Sequence, residues 1–148
     1  MGNLYDYFSA PDDPTALAAF GQGIEEAGLP LLRVKGIDPY VQLGRAESVL
    51  SGTPYDDVTS LPRFNRLLSP PEDESRWLVT LTDELRDALA AARPGGFTAV
   101  AEAWSRIEEF AGEFPSGEPA GFLAKLADLA AEARARTEPH RLYCLLSL

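Results

Sequence analysis

The chain is poor in the residues that most often carry reaction chemistry. One cysteine, Cys144, excludes an internal disulfide, and one histidine, His140, excludes a His-rich metal cage. Lysine is nearly absent, with only Lys35 and Lys125, so the positive charge is almost all arginine. Long apolar runs are missing as well. Nothing approaches the roughly 18 apolar residues of a membrane span, and no charged-then-apolar leader opens the sequence. A cytoplasmic protein with a reduced thiol and no membrane attachment is expected. The signature loops are also lacking. Gly21-Gln22-Gly23 has no third glycine and lies in or at the end of a helical pattern, not after a strand. There is no P-loop lysine motif, no Cys-x-x-Cys and no Gly-x-Ser-x-Gly elbow. No cofactor, no metal and no catalytic set is expected, and the balance leans away from an enzyme.

Acid is what the chain has in excess. With 23 Asp and Glu against 13 Lys and Arg, the formal charge is −10. Nucleic acid is excluded as a partner, because neutralising phosphates takes a concentrated basic face. The same charge serves solubility, or attraction to a basic protein. A length of 148 residues and 45% hydrophobic content fit one globular domain, which buries roughly two-thirds of its unfolded surface.

Prolines and capping residues divide the chain. Asp13-Pro14, Asp38-Pro39 and Glu118-Pro119 mark helix starts, with Asp13 and Asp38 as side-chain caps. Leu17, Phe20, Ile24 and Ala27 give the first helix its apolar spacing up to Gly28, and Gly21 and Gly23 weaken its second half. Leu43, Ala46, Val49 and Leu50 form a second stripe that stops at Gly52. Leu29 to Val34 reads as a short strand or extended crossing, and Pro30 confines a strand there to an edge. A short helical turn is expected within Asp57–Leu61 or Phe64–Leu68. Arg76 to Leu81 is the best internal strand. Thr82 caps a helix that Pro94-Gly95-Gly96 closes. Val100, Ala103, Trp104, Ile107 and Phe110 line the next helix, ending at Gly112. Phe122 to Ala133 line the last, ended by Pro139. The two chain ends, Leu4-Tyr5-Asp6-Tyr7-Phe8 and Arg141 to Leu148, are apolar and strand-like, and such ends stay ordered only when tied into a sheet or core. The expectation is one α+β domain: a small mixed or antiparallel sheet that includes both terminal strands, packed with about five helices.

Few residues suggest a site. His140 and Cys144 lie four residues apart, about 13 Å along a strand, so they share a face without touching. His140 is expected at the surface and Cys144 as a buried small hydrophobe. Glu108 and Glu109 point about 100° apart on a helix and do not converge. Trp77 and Trp104 are read as core. Tyr5 and Tyr7 share one face of the first strand; with Arg33 and Asp38 they are the candidate polar groups of a cleft between sheet and helices. Glu72, Asp73 and Glu74 form an exposed acidic loop, the candidate partner-binding segment; it lacks the ordered oxygens of a calcium loop.

Several of these segments together resemble the YfbM-like family of small bacterial proteins, which has no established activity. The resemblance rests on Met1-Gly2 with Tyr7-Phe8, then Ile37-Asp38-Pro39 leading through Leu43 to Val49-Leu50-Ser51-Gly52. Thr82-Asp83-Glu84-Leu85, the helix from Phe122 to Ala133 and the closing strand follow in the family's order. Where the family motif Asp-Lys-x-Trp-x-x-Leu-His-x-x-Leu-Thr-Gly has its aromatic and histidine, this chain carries Val41, or its neighbour, and Gly44. The resemblance implies helices around a small sheet and supplies no mechanism. The leading functional expectation is a non-enzymatic binding protein for a basic partner, as immunity proteins and antitoxins are. The alternative is a small-molecule-binding protein or hydrolase using the cleft. Homo-oligomer assembly, through the edge of a terminal strand or the Trp104 face, is a third expectation.

Overall fold

The computed structural model describes residues 4–35, 37–106 and 118–148. Strand β1 (Leu4–Ala10) and strand β4 (Arg141–Ser147) pair antiparallel over their whole length, with Tyr7 opposite Cys144 and Phe8 opposite Tyr143. Both strands are apolar on both faces, which is the pattern of a strand covered on both sides. They are the two inner strands. β2 (Leu31–Lys35) pairs with the far side of β1 and β3 (Arg76–Thr80) with the far side of β4, so the order is β2-β1-β4-β3, all antiparallel. The fold is a single α+β domain with both terminal strands in the sheet, as its sequence indicates.

Among the described residues six helices complete it: α1 (Asp13–Gln22), α2 (Val41–Ser51), the single turn α3 (Tyr55–Val58), α4 (Asp83–Ala91), α5 (Pro94–Ser105) and α6 (Glu118–Ala135). Tyr5, Tyr7, Val79, Leu142 and Cys144 turn to the sheet face that α2, α4, α5 and α6 cover, and Trp104 is buried among them. Phe8, Leu78, Tyr143 and Leu145 turn to the other face, where α1 lays Ala16, Ala19 and Phe20 against them. Each fully buried Leu or Phe contributes about 1.5–3 kcal/mol relative to exposure, which is what holds the terminal strands in place.

The two edges are treated differently. β2 begins after Pro30 and carries Arg33 outward, the edge position that the proline indicated. The outer edge of β3 is taken up by the segment around Leu67: Leu68 N donates to Leu78 O, Thr80 N donates to Arg66 O, and Asn65 N donates to Thr80 O. Asn65 turns this segment at φ +49°, a left-handed conformation that asparagine tolerates.

Several local expectations shift. The cap of α1 is Asp12, whose carboxylate accepts from Thr15 N, and this frees Asp13 for tertiary contacts. The helix ends at Gly23, not Gly28, and Leu17 is exposed because Ala16 and Ala19 let α1 sit close on the sheet. In α2 the buried stripe is Leu43, Ala46 and Glu47, while Val49 points out. Pro94-Gly95-Gly96 opens α5, since Pro94 suits the first helical turn. The turn falls at Tyr55–Val58, slightly before the expected stretch, and Phe64 to Leu68 is not helical. Ile107, Glu108, Glu109, Phe110 and Gly112 lie outside the described residues.

Candidate functional site

The four residues assigned to a cleft do not meet around one. Tyr5 and Tyr7 share a face, but that face is the main core, and the Tyr7 ring packs against Phe122. The Tyr7 hydroxyl donates to Ile37 O at 2.5 Å, and burial raises its pKa well above the ordinary phenol value. Arg33 lies one residue out of step, opposite Asp6 across the strands, and grips its carboxylate through Nε at 2.8 Å. Asp38 caps α2: its Oδ1 accepts from Tyr40 N at 2.8 Å and Val41 N at 2.6 Å, while Gln42 Oε1 accepts from Asp38 N. That reciprocal pairing satisfies amides otherwise left open at a helix start.

In the acidic loop the three members differ. Asp73 Oδ1 accepts from the backbone N of Ser75 and Arg76 and from the Ser75 hydroxyl, which turns the chain into β3 and holds the carboxyl below its usual pKa. Glu72 and Glu74 flank it, exposed. The loop is thus a structured turn presenting two free-standing acids.

Two polar centres went unmarked in the sequence. At the sheet end where β1 runs into α1, Arg63 Nη1 donates to Asp13 Oδ2 at 3.1 Å, while Nη2 lies 3.1 Å from Oδ1 without hydrogen-bond geometry. Tyr143 adds its hydroxyl to Asp13 Oδ1 at 2.7 Å. Burial opposes ionisation of Asp13, but the two hydrogen bonds outweigh it and hold the carboxyl below its ordinary value. Tyr143 is pushed up, first by burial and then by that carboxylate. Beside this cluster Ser9 Oγ lies 3.0 Å from His140 Nδ1, and Arg86 Nη1 donates to His140 O. His140 is therefore mostly buried, not at the surface, because Ser9 and α6 close over it. Burial and then Arg136 lower its pKa, against an opposing pull from Glu132.

The second centre is Glu47, 2% exposed on α2. Its Oε1 accepts from the Thr82 hydroxyl at 2.7 Å, and that same hydroxyl accepts from Leu85 N to cap α4. Among the described residues no cation answers the carboxylate, and burial raises its pKa to about 7 despite the Thr82 hydrogen bond. Next to it Gln42 is fully buried, its Nε2 without a hydrogen-bond partner. A signal for Glu47 existed in the sequence: with Leu43, Ala46 and Leu50 it completes the i, i+3, i+4, i+7 set of a buried helix face. Nothing local marked Asp13 or Arg63.

What these groups can do is set by access. Ser9 is 1% exposed, so its hydroxyl is closed to a substrate and serves to orient the imidazole. A shallow cleft of about 610 Å³ opens on the other side of His140, between Pro11 and the stretch from Ala135 to Glu138. None of Tyr5, Tyr7, Arg33 and Asp38 lines it. Cys144 is buried as expected, and burial drives its thiol pKa well up, away from reactivity. Among the described residues no cluster of three or more metal-ligating side chains occurs, and no helix is long and apolar enough to cross a membrane. At Gly44 an added Cβ would come within 2.8 Å of the Tyr55 ring and 3.2 Å of Phe64. A side chain there would have to displace the Tyr55 ring. Comparison with protein-family models, characterised proteins and solved structures finds no match to this chain.

Proposed function

We propose that this chain is a binding protein without catalytic activity of its own, whose acidic surface receives a basic protein partner. Neutralising a basic toxin, in the manner of an immunity protein or antitoxin, is one form of that role. The observation that carries this reading is how the cations are used. Arg33, Arg63, Arg76, Arg86, Arg106, Arg134, Arg136 and Arg141 each have a carboxylate within 4.0 Å. Most of the basic charge is thereby matched within the molecule, while Glu26, Asp56, Asp57, Glu72 and Glu74 stand exposed. The net charge of −10 is left to act outward. Such a field speeds encounter with a basic surface and fades with salt. Affinity capture from lysate at low and at high salt tests the reading. A basic protein held at low salt and released at high salt is expected. Capture of nothing at either salt would reject it.

A small-molecule site is the second reading, favoured by the cleft beside His140. Titrating small polar compounds while following the imidazole proton resonances tests it, and an unmoved His140 across such a set would remove it.

A further inference from the structure

The surface around the start of α2 is unlike the rest of the exterior. Tyr40 is 52% exposed, one of few large hydrophobic side chains left in solvent. Its ring meets Phe64 edge-on at 5.1 Å, and the half-buried Tyr55 packs beside Phe64 at Gly44 of the same helix. Arg45, itself exposed, lays its guanidinium over the Tyr55 ring at 3.9 Å.

Three separate devices fix these rings. Gly44 lets Tyr55 and Phe64 pack directly on the α2 backbone, since a Cβ there would collide with both. Asn65 adopts its left-handed φ and donates from Nδ2 to Pro39 O at 2.9 Å, tying the Phe64 segment to the helix start. Asp38 holds the amides of Tyr40 and Val41. Unusual backbone geometry and a close approach are both invested in aromatic rings that remain open to solvent. Rigid aromatic groups at a surface are the pattern of binding hot spots, because little side-chain freedom is lost on association.

The rim of the patch carries the carboxylates of Asp38 and Asp56, with the Arg45 cation over the Tyr55 face. Asp56 is exposed on α3, and both it and Asp38 act electrostatically on Tyr55. Aromatic faces attract cations, guanidinium especially, and neighbouring carboxylates strengthen that preference. The stacking of Arg45 on Tyr55 is the same contact made within the chain.

We propose that Tyr40, Tyr55 and Phe64, rimmed by Asp38 and Asp56, form the seat for an arginine side chain of the basic partner. The inference rests on the reading that the partner is basic and adds where and how it docks. The ring faces select arginine over lysine, and the rim supplies the charge. The Glu72–Glu74 turn contributes only to the long-range field.

Titration of the isotope-labelled chain with an alternating glycine–arginine peptide, and with its lysine counterpart, tests this by amide chemical shifts at low salt. Shifts centred on Tyr40, Arg45, Tyr55 and Phe64 are expected, with the arginine peptide bound more tightly. Tyr40→Ala is expected to weaken binding about three- to tenfold, Tyr40→Phe to retain it, and the double variant Glu72→Gln, Glu74→Gln to change it less than twofold. Because Tyr40 is half exposed, Tyr40→Ala is expected to melt near the parent, and a thermal melt checks this. Binding that survives Tyr40→Ala but falls in the double variant would overturn the seat and leave the basic-partner reading standing. No binding of either peptide at low salt would remove both. A dimer of the free chain with these amides protected would assign the rings to a second copy and also overturn the seat.

Discussion

Asp13 and Glu47 are both carboxylates drawn out of water by the same small fold, and they respond in opposite directions. Asp13 is met by the Arg63 guanidinium and the Tyr143 hydroxyl, and it stays ionised more readily than a free aspartate. Glu47 is met by the neutral Thr82 hydroxyl, and its pKa rises to about 7. The difference is the cation together with depth, since Asp13 keeps about a quarter of its side chain in solvent and Glu47 almost none. A hydrogen bond from a neutral hydroxyl does not replace the hydration a carboxylate loses, whereas an adjacent guanidinium that also donates a hydrogen bond comes much closer. The consequences for stability have opposite signs. For Asp13 the stabilisation is present above the unfolded pKa, about 4, and is lost as pH falls through the lower folded value. For Glu47 the folded chain keeps a proton that the unfolded chain releases, so stability falls as pH rises from about 4.5 towards 7.

The contrast can be broken at several points. The largest effect is expected from deleting residues 142–148, which removes Tyr143 with most of an inner strand. That loss should consume the whole margin of about 5–15 kcal/mol of a small domain. Circular dichroism and thermal melting read it, and a cooperative transition in the truncated chain would show that β4 is not the clasp it is taken for. Arg63→Met leaves Asp13 without its cation, at a cost of about 2 kcal/mol, between the values for exposed and buried pairs. Urea unfolding measures that cost, and the Asp13 carboxyl resonance should titrate at higher pH than in the parent. Glu47→Gln keeps an acceptor for Thr82 but removes the charge. It should leave stability unchanged near about pH 5 and raise it by about 1–2 kcal/mol near about pH 8.5, allowing for solvent screening. A gain that is the same at both pH values would mean that Glu47 ionises as an ordinary glutamate. Tyr143→Phe, the smallest change, removes one hydrogen bond from Asp13 for about 1 kcal/mol. Its ring still stacks on Phe8, so the sheet should be undisturbed by circular dichroism.

The same two residues show how far the sequence could be read. Strands and helices were legible where the signal is local: Thr82 as a cap, Gly52 as a left-handed stop at φ +76°, Pro30 at an edge, apolar ends bound for a sheet. Local signals also misled by small steps. Asp12 and Asp13 are equally good caps on paper, and the geometry of one turn assigned Asp12 to the helix and Asp13 to Arg63, 50 residues away. Pro94 carries the same information as a helix stop or a helix start, and only the following apolar face decides. Tyr5 and Tyr7 were placed on one face correctly, but alternation along a strand does not tell a cleft from a core. Arg33 fell on the opposite face by that very alternation. The aromatic seat was illegible because Tyr40, Tyr55 and Phe64 come from three separate segments brought together by Gly44, a residue notable only for having no side chain.

That β1 and β4 lie side by side has a consequence in time. Their ladder closes contacts between the first and last strands, with Asp6 facing Leu145 and Ser9 facing Leu142. Every other strand pairing and helix contact spans a shorter stretch of chain. Closing so long a loop costs entropy before any contact returns it, so local helices can form early while the middle of the sheet waits. A substitution such as Cys144→Ala should then leave the folding rate nearly untouched and show its modest packing loss as faster unfolding. The pairing at the centre of the sheet would govern chiefly how long the protein stays folded.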